Sequence, residues 1–120
     1  MNYYAHTATF ADGSPDPDTD RWQTLADHLR QVATLARQFG EPLGLGHEAE
    51  LAGLLHDLGK YSERFQARLR NPAVRGINHW AAGTAYAARL ATIAFAIDGH
   101  HTGIPSRDGD GIKQTIAKML

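Results

Sequence analysis

An imidazole and a carboxylate stand side by side at His56-Asp57, inside the run Leu54-Leu55-His56-Asp57-Leu58-Gly59-Lys60. Both groups bind divalent metal, and further histidines flank them: His28 upstream, His79 and the doublet His100-His101 downstream. Apolar segments with helical spacing separate these positions, so the set reads as one metal site gathered from several helices. A metal held this way lowers the pKa of its bound water and makes a hydroxide nucleophile available near neutral pH. The chemistry implied is metal-dependent hydrolysis of a phosphoester. The donors are nitrogen and oxygen, and the chain has no cysteine. Such a set suits Mn, Fe, Co, Ni or Zn better than Ca or Mg alone.

Each residue also has a plainer reading. His28, one turn from Leu25 and Val32, could be a core-edge histidine bonded to a backbone carbonyl; beside His56-Asp57, ligation is the stronger assignment. A charged pair directly behind Leu54-Leu55 is expected to be partly buried, and buried ionised groups need partners or metal. Successive helical positions point about 100° apart, so both side chains can face one cavity. Asp57 has two carboxylate oxygens and can bridge two ions. His79 follows Asn78 at the expected start of an alanine-rich helix, where an isolated histidine is ordinarily a cap neighbour. His100-His101, between Gly99 and Thr102-Gly103, is more specific. His47 is assigned to the solvated start of its helix, and His6 is left open because Tyr4-Ala5-His6 could fold beside the site.

Lys60, one turn beyond His56, could contact a phosphate oxygen and offset charge that develops during hydrolysis; it could equally be a lysine favoured at a helix C-terminus. Between Lys60 and Arg75 stand five basic residues, Lys60, Arg64, Arg68, Arg70 and Arg75, against the single acid Glu63. Arg64, Arg68 and Arg75 could track a nucleic-acid backbone, with Tyr61 as a stacking surface. The alternative is the solvated face of a short helix whose Phe65 and Leu69 enter the core.

The elements that must position these groups are helical. Trp22, Leu25, Leu29, Val32, Ala36 and Phe39 recur at helical spacing over Arg21 to Phe39, with Asp20 as N-cap and Gly40 as stop. A second helix is expected from about His47 to Leu58, ended by Gly59, and a third from the N-cap Ser62 to Asn71-Pro72. Asn78 to Ile97 predicts one long alanine-rich helix or two broken near Leu90. Residues 11–20 read as an acidic loop, Gly103 to Gly111 as another loop, and Ile112 to Leu120 as a short terminal helix. No β-alternation stands out. The expected class is all-α, in a single domain spanning residues 1–120.

A net charge of −1 argues against coating nucleic acid by bulk charge. Met1 to Phe10 lacks the pattern of a signal peptide. The longest apolar stretch, Ala87 to Ile97, contains Arg89 and is too short to cross a bilayer. The absence of cysteine fits a reducing compartment. A cytoplasmic protein without a membrane partner is expected.

The order His28, His56-Asp57, Lys60, His79, His100-His101 resembles the HD superfamily of metal-dependent phosphohydrolases. More narrowly it is similar to the HD nuclease domain of the CRISPR-associated helicase-nuclease of type I interference systems. That narrower likeness is carried by Tyr4-Ala5-His6, Trp22-Gln23-Thr24-Leu25 leading to His28-Leu29, and Ala52-Gly53-Leu54-Leu55-His56-Asp57-Leu58-Gly59-Lys60. Phe65-Gln66, His79 with Ala82-Gly83, and Gly99-His100-His101-Thr102-Gly103-Ile104-Pro105 complete it. The resemblance implies a helical bundle holding two transition-metal ions and cleaving single-stranded DNA, fused to or partnered with a helicase and recruited by an RNA-guided surveillance complex. It implies a first ion on His28, His56 and Asp57, and a second on Asp57, His79, His100 and His101.

This chain departs from that pattern in one respect. The family usually supplies a further aspartate to the first ion from a later helix, and this chain stops at Leu120. Asp98 precedes the doublet; Asp108 and Asp110 lie in the following loop. The resemblance therefore implies a bundle truncated at its C-terminal end, with apolar surface that could promote self-association.

Three functions follow as expectations: a single-stranded DNA nuclease, a phosphohydrolase of a nucleotide or other small phosphoester, and an inactive module that binds metal or a partner. A small substrate calls for a closed pocket. A nuclease calls for an open groove with the Arg64 to Arg75 segment beside the metal.

Overall fold

Thr24, not Asp20, opens the first long helix. Its Oγ1 accepts from the backbone N–H of Asp27 and donates to the Asp27 carboxylate at 2.7 Å. This is the reciprocal use of end groups that starts helices. Helix α1 then runs Leu25–Gly40 and buries Leu25, Leu29 and Ala33. The residues before it are diverted. Trp22 packs edge-on to Tyr4 at 5.4 Å and its indole N–H donates to the Asp16 carbonyl at 2.7 Å, so the chain stays extended until Thr24.

The computed structural model describes residues 1–87 together with Ile97 and His100. The alanine-rich segment beyond Ala87, apart from Ile97 and His100, and the loop and terminal helix expected over 103–120, lie outside the described residues. Within them the protein is mostly helical, the expected all-α class, with two minimal antiparallel ribbons added. Strand β1 (Tyr4–His6) pairs with β4 (Gln23–Thr24). Strand β2 (Ala8–Thr9) pairs with β3 (Pro15–Asp16), so the first part of the loop expected over 11–20 is a hairpin, followed by a 3-10 turn at Thr19–Arg21.

Helix α2 (Gly46–Leu55) is shorter than its apolar pattern predicts. It stops at Leu55, His56 caps it, and residues 58–61 form a 3-10 turn. Helix α1 crosses α2 closely at Gly53, where an added Cβ would meet the Ala33 Cα at 2.6 Å. Helix α3 (Glu63–Arg70) begins as expected at Ser62, whose Oγ accepts from the Phe65 N–H, and ends at Asn71. Helix α4 (Ala81–Tyr86) follows a loop in which the Asn78 carboxamide oxygen accepts from the Ala81 N–H at 2.8 Å.

Two apolar clusters flank the histidines. Ala5, Leu25 and Leu29 form one with Tyr3; Leu55, Ala87 and Ile97 form the other with Leu51, Ala52 and Leu58. No helix among the described residues is long and apolar enough to cross a membrane.

Candidate metal centre

The close α1–α2 crossing sets His28 against the end of α2. His28 Nε2 lies 3.3 Å from His56 Nε2 and 3.2 Å from Asp57 Oδ2. His56 Nε2 is 3.2 Å from the same oxygen. These three donors form a nearly equilateral triangle. Ending the α-helix at Leu55 makes this arrangement: Asp57 leaves helical geometry (φ −114°, ψ 22°) and turns its carboxylate back toward His28.

The other oxygen of Asp57 faces elsewhere. His79 Nε2 lies 3.4 Å from Oδ1. The loop carrying His79 is tied down by a bond from the Gly59 N–H to the His79 carbonyl at 2.9 Å, and the His79 ring packs edge-on to Phe65 and Trp80. His100 is exposed, with its ring centre 5.9 Å from that of His56. His101 lies outside the described residues. The structure thus gathers His28, His56, Asp57 and His79, brings His100 to the edge beside His56, and divides the two carboxylate oxygens between the His28–His56 pair and His79.

Lys60 is turned inward. Its ammonium pairs with Asp57 Oδ2 at 2.8 Å, donates to the Ala5 carbonyl at 3.4 Å and lies over the Phe65 ring. At 5% exposure it holds the carboxylate from within the protein rather than facing solvent, where a phosphate would approach. Gln66, also buried, ties this turn to β1. Its carboxamide donates to the carbonyls of Tyr4 (2.9 Å) and Lys60 (2.7 Å) and accepts from the Tyr4 N–H (3.0 Å). Phe65-Gln66 belongs to the motif resemblance, but nothing in the sequence states this role, since the partner of Gln66 is 62 positions away.

The arginines border the centre through a loop. Arg64 donates to the Arg75 carbonyl at 3.0 Å and Arg68 to that of Val74 at 2.6 Å. Each uses one of five guanidinium N–H groups, which leaves others for a ligand. Arg70 instead stacks on Trp22. A groove of about 480 Å³ is lined by Phe65, Arg68, Arg75, Gly76, Ile77, Asn78 and His79. It joins the basic segment to the histidine that faces Asp57. A second, mainly apolar cleft of about 470 Å³ runs between α1 and α2 and ends on His28 and His56. His47 is exposed at the start of α2.

Asp57 and His28 are held in the forms that bind metal, while His56 holds its proton more tightly than usual. Burial pushes the Asp57 carboxyl up, but hydrogen bonds and charge from His56 and Lys60 outweigh it and hold the group well below the usual carboxylate range. Burial lowers His28, against the raising effect of Asp57, so its ring is neutral near pH 7. Burial also lowers His56, but its bonds to Asp57 and Gly53 prevail and raise it. A carbonyl only accepts, so the 2.7 Å contact of His56 Nδ1 with the Gly53 oxygen puts the proton on Nδ1. That leaves the Nε2 lone pair directed at the triangle, the outer-shell support common to metal-bound histidines.

The triangle fits a divalent transition metal. Bonds of about 2.0–2.2 Å at angles between octahedral and tetrahedral separate donors by roughly 3.0–3.4 Å, the spacing of His28, His56 and Asp57. One prediction follows for pH. An ion must displace the proton that His56 holds above its ordinary value of about 6.5. Metal affinity is therefore expected to fall by up to about tenfold per unit as pH drops through the raised pKa of His56, and to level off above it, where His56 is neutral. Calorimetric titration with Mn²⁺ between pH 5.5 and 8 measures it; a flat profile removes His56 from the ligand set.

A family model for the HD domain matches residues 25–116, most of the chain and every residue of the triangle. No curated protein matches the chain.

Proposed function

The chain belongs to the HD domain family, and from that premise we propose that it is a metal-dependent phosphohydrolase acting on the phosphodiesters of single-stranded DNA. His28, His56 and Asp57 would hold a divalent ion, which would supply Lewis acidity toward a phosphate oxygen and lower the pKa of water at the centre. The residues of the chain do the rest. His28 and His56 are fixed in orientation by helix packing and by the Gly53 carbonyl. Lys60 keeps Asp57 ionised and in place from the buried side. Because Oδ2 faces His28 and His56 while Oδ1 faces His79, Asp57 would help hold one ion with His28 and His56 and could offer its second oxygen to another beside His79. His79, His100 and His101 complete the second set in this reading.

The observation that carries the choice of substrate is the groove from Arg68 and Arg75 to His79. A chain of phosphates can lie along it with one of them beside Asp57, whereas a lone small phosphoester makes no use of a basic segment extending from the centre. The wider setting belongs to the same proposal and rests on the ordered motif resemblance: CRISPR interference, a helicase partner, recruitment by an RNA-guided complex, and a cytoplasmic site of action. Leu35, Phe39 and Leu43 are exposed, and self-association would use such surface.

The test is cleavage of circular single-stranded DNA with Mn, Co, Ni, Zn and Mg supplied separately. Circles have no ends, so their loss reports endonuclease action. The apolar cleft ending on His28 and His56 favours a second reading, a nucleotide whose base fills it. Hydrolysis of nucleoside monophosphates with intact circles would establish that alternative. The arginines give a further prediction. Changing Arg64, Arg68 and Arg75 to Gln should weaken DNA binding and reduce the log–log salt slope by roughly 0.7 for every phosphate no longer neutralised, with metal affinity unchanged. An unaltered slope would return them to holding the 71–76 loop.

A further inference from the structure

His6 stands exposed beside the metal centre, at the end of a strand that the site residues themselves hold in place. Its ring meets that of His28 edge-on at 4.9 Å. The pairing of β1 with β4 shifts register between Tyr4↔Thr24 and His6↔Gln23, so Ala5 is an extra residue on β1. Such bulges re-aim side chains and are common next to active sites. Here the bulge leaves the Ala5 carbonyl to accept from Lys60, with Tyr4 and Ala5 buried and His6 exposed. The strand is fixed from three directions. Gln66 bonds both backbone groups of Tyr4, Lys60 bonds Ala5, and the Leu25 N–H at the start of α1 donates to the Tyr3 carbonyl at 2.8 Å. Lys60 and Gln66 lie on the turn and helix that follow Asp57, so the metal centre and the strand are built on the same supports.

These contacts immobilise a strand whose one exposed polar side chain, among Tyr4 to His6, faces His28. Lys60 is sequestered against Asp57, so an inward-facing ammonium is replaced at the rim by an imidazole with an N–H to offer. Resting on the phosphohydrolase reading, we propose that His6 is a substrate-contacting residue: it donates a hydrogen bond to a non-bridging oxygen of the phosphate held at the His28–His56–Asp57 centre. It takes no part in ligating the ion, since it lies outside the triangle of donors.

The test uses the full chain with His6→Ala, His6→Phe and His6→Gln. Phe preserves an aromatic edge against His28 but has no donor; Gln keeps a donor without a ring. Two readouts are taken: Mn²⁺ affinity alone, and binding of inorganic phosphate to the Mn²⁺-loaded protein, with kcat and KM for cleavage alongside. The expected result is Mn²⁺ affinity within a few-fold of wild type in all three. Phosphate affinity and kcat/KM should fall by about tenfold or more in Ala and Phe, with substantial recovery in Gln. Wild-type behaviour of His6→Phe would reduce the residue to packing and overturn the proposal. A parallel loss of Mn²⁺ affinity would also overturn it, by making His6 a support or ligand of the ion. Wild-type protein that binds Mn²⁺ but neither phosphate nor DNA would instead remove the phosphohydrolase reading beneath it.

Discussion

Asp57→Asn is expected to yield a folded protein with no cleavage above background and metal affinity reduced by well over the roughly 100-fold that loss of an outer-shell partner can cause. The amide keeps the shape of the carboxylate, and its oxygen still accepts from Lys60 at the position of the present 2.8 Å contact. What disappears is the negative charge that faces His28 and His56 on one side and His79 on the other. Asp57→Ala is a different experiment. It leaves the Lys60 ammonium, 5% exposed, without its carboxylate, and breaking a buried pair from one side costs about 3–5 kcal/mol. Against a total stability of roughly 5–15 kcal/mol, that loss can unfold part of the population and imitate a catalytic defect. From sequence the alanine variant is expected to affect function far more than helix content; the burial of Lys60 makes the asparagine variant the clean probe. Urea midpoints, Mn²⁺ calorimetry and circular-DNA cleavage on both variants separate the effects. Wild-type cleavage in the asparagine variant would place the chemistry elsewhere.

Gly83→Ala should be among the most damaging single methyl additions in the chain. In an exposed helix the change would stabilise by about 0.5–1 kcal/mol. Gly83 is buried in α4, however, and its missing Cβ would fall on the Leu55 carbonyl. Backbone cannot step aside as a flexible side chain can, so α4 must separate from the end of α2. Overpacking of this kind costs about 1–3 kcal/mol or more, which outweighs the propensity gain. The displaced carbonyl belongs to the residue before His56, and metal affinity should fall together with stability. A denaturation midpoint and a metal affinity both equal to wild type would show that the α2–α4 contact does not position the centre.

Several elements are legible one turn at a time. The apolar spacing of Leu25, Leu29, Val32 and Ala36 marks α1, and Ser62 with Asn71 marks both ends of α3. His28, His56 and Asp57, expected as ligands from residue type and order, are the residues whose donor atoms meet. Less visible is the end of α2. Leu51, Leu54, Leu55 and Leu58 carry a helical pattern through His56 and Asp57, yet the helix stops at Leu55. Leu58 reaches its apolar cluster from a 3-10 turn instead, and only that change of path lets Asp57 face His28. The start of α1 departs from its apolar pattern for a similar reason, because Trp22 is held by Tyr4 and Asp16 rather than by the helix.

The amino-acid sequence by itself determined the helical class, the caps at Ser62 and Asn71, and the side-chain types of the candidate metal centre. Each depends on residue chemistry or on neighbours within about one helical turn, where propensity and capping act. The tertiary structure alone decided the inward role of Lys60, the placement of His6 against His28 and the stitching of β1 by Gln66. Those outcomes depend on burial and on hydrogen bonds between groups 55 and 62 positions apart. A buried polar group must find a partner wherever the folded chain supplies one, and no local pattern states where that will be.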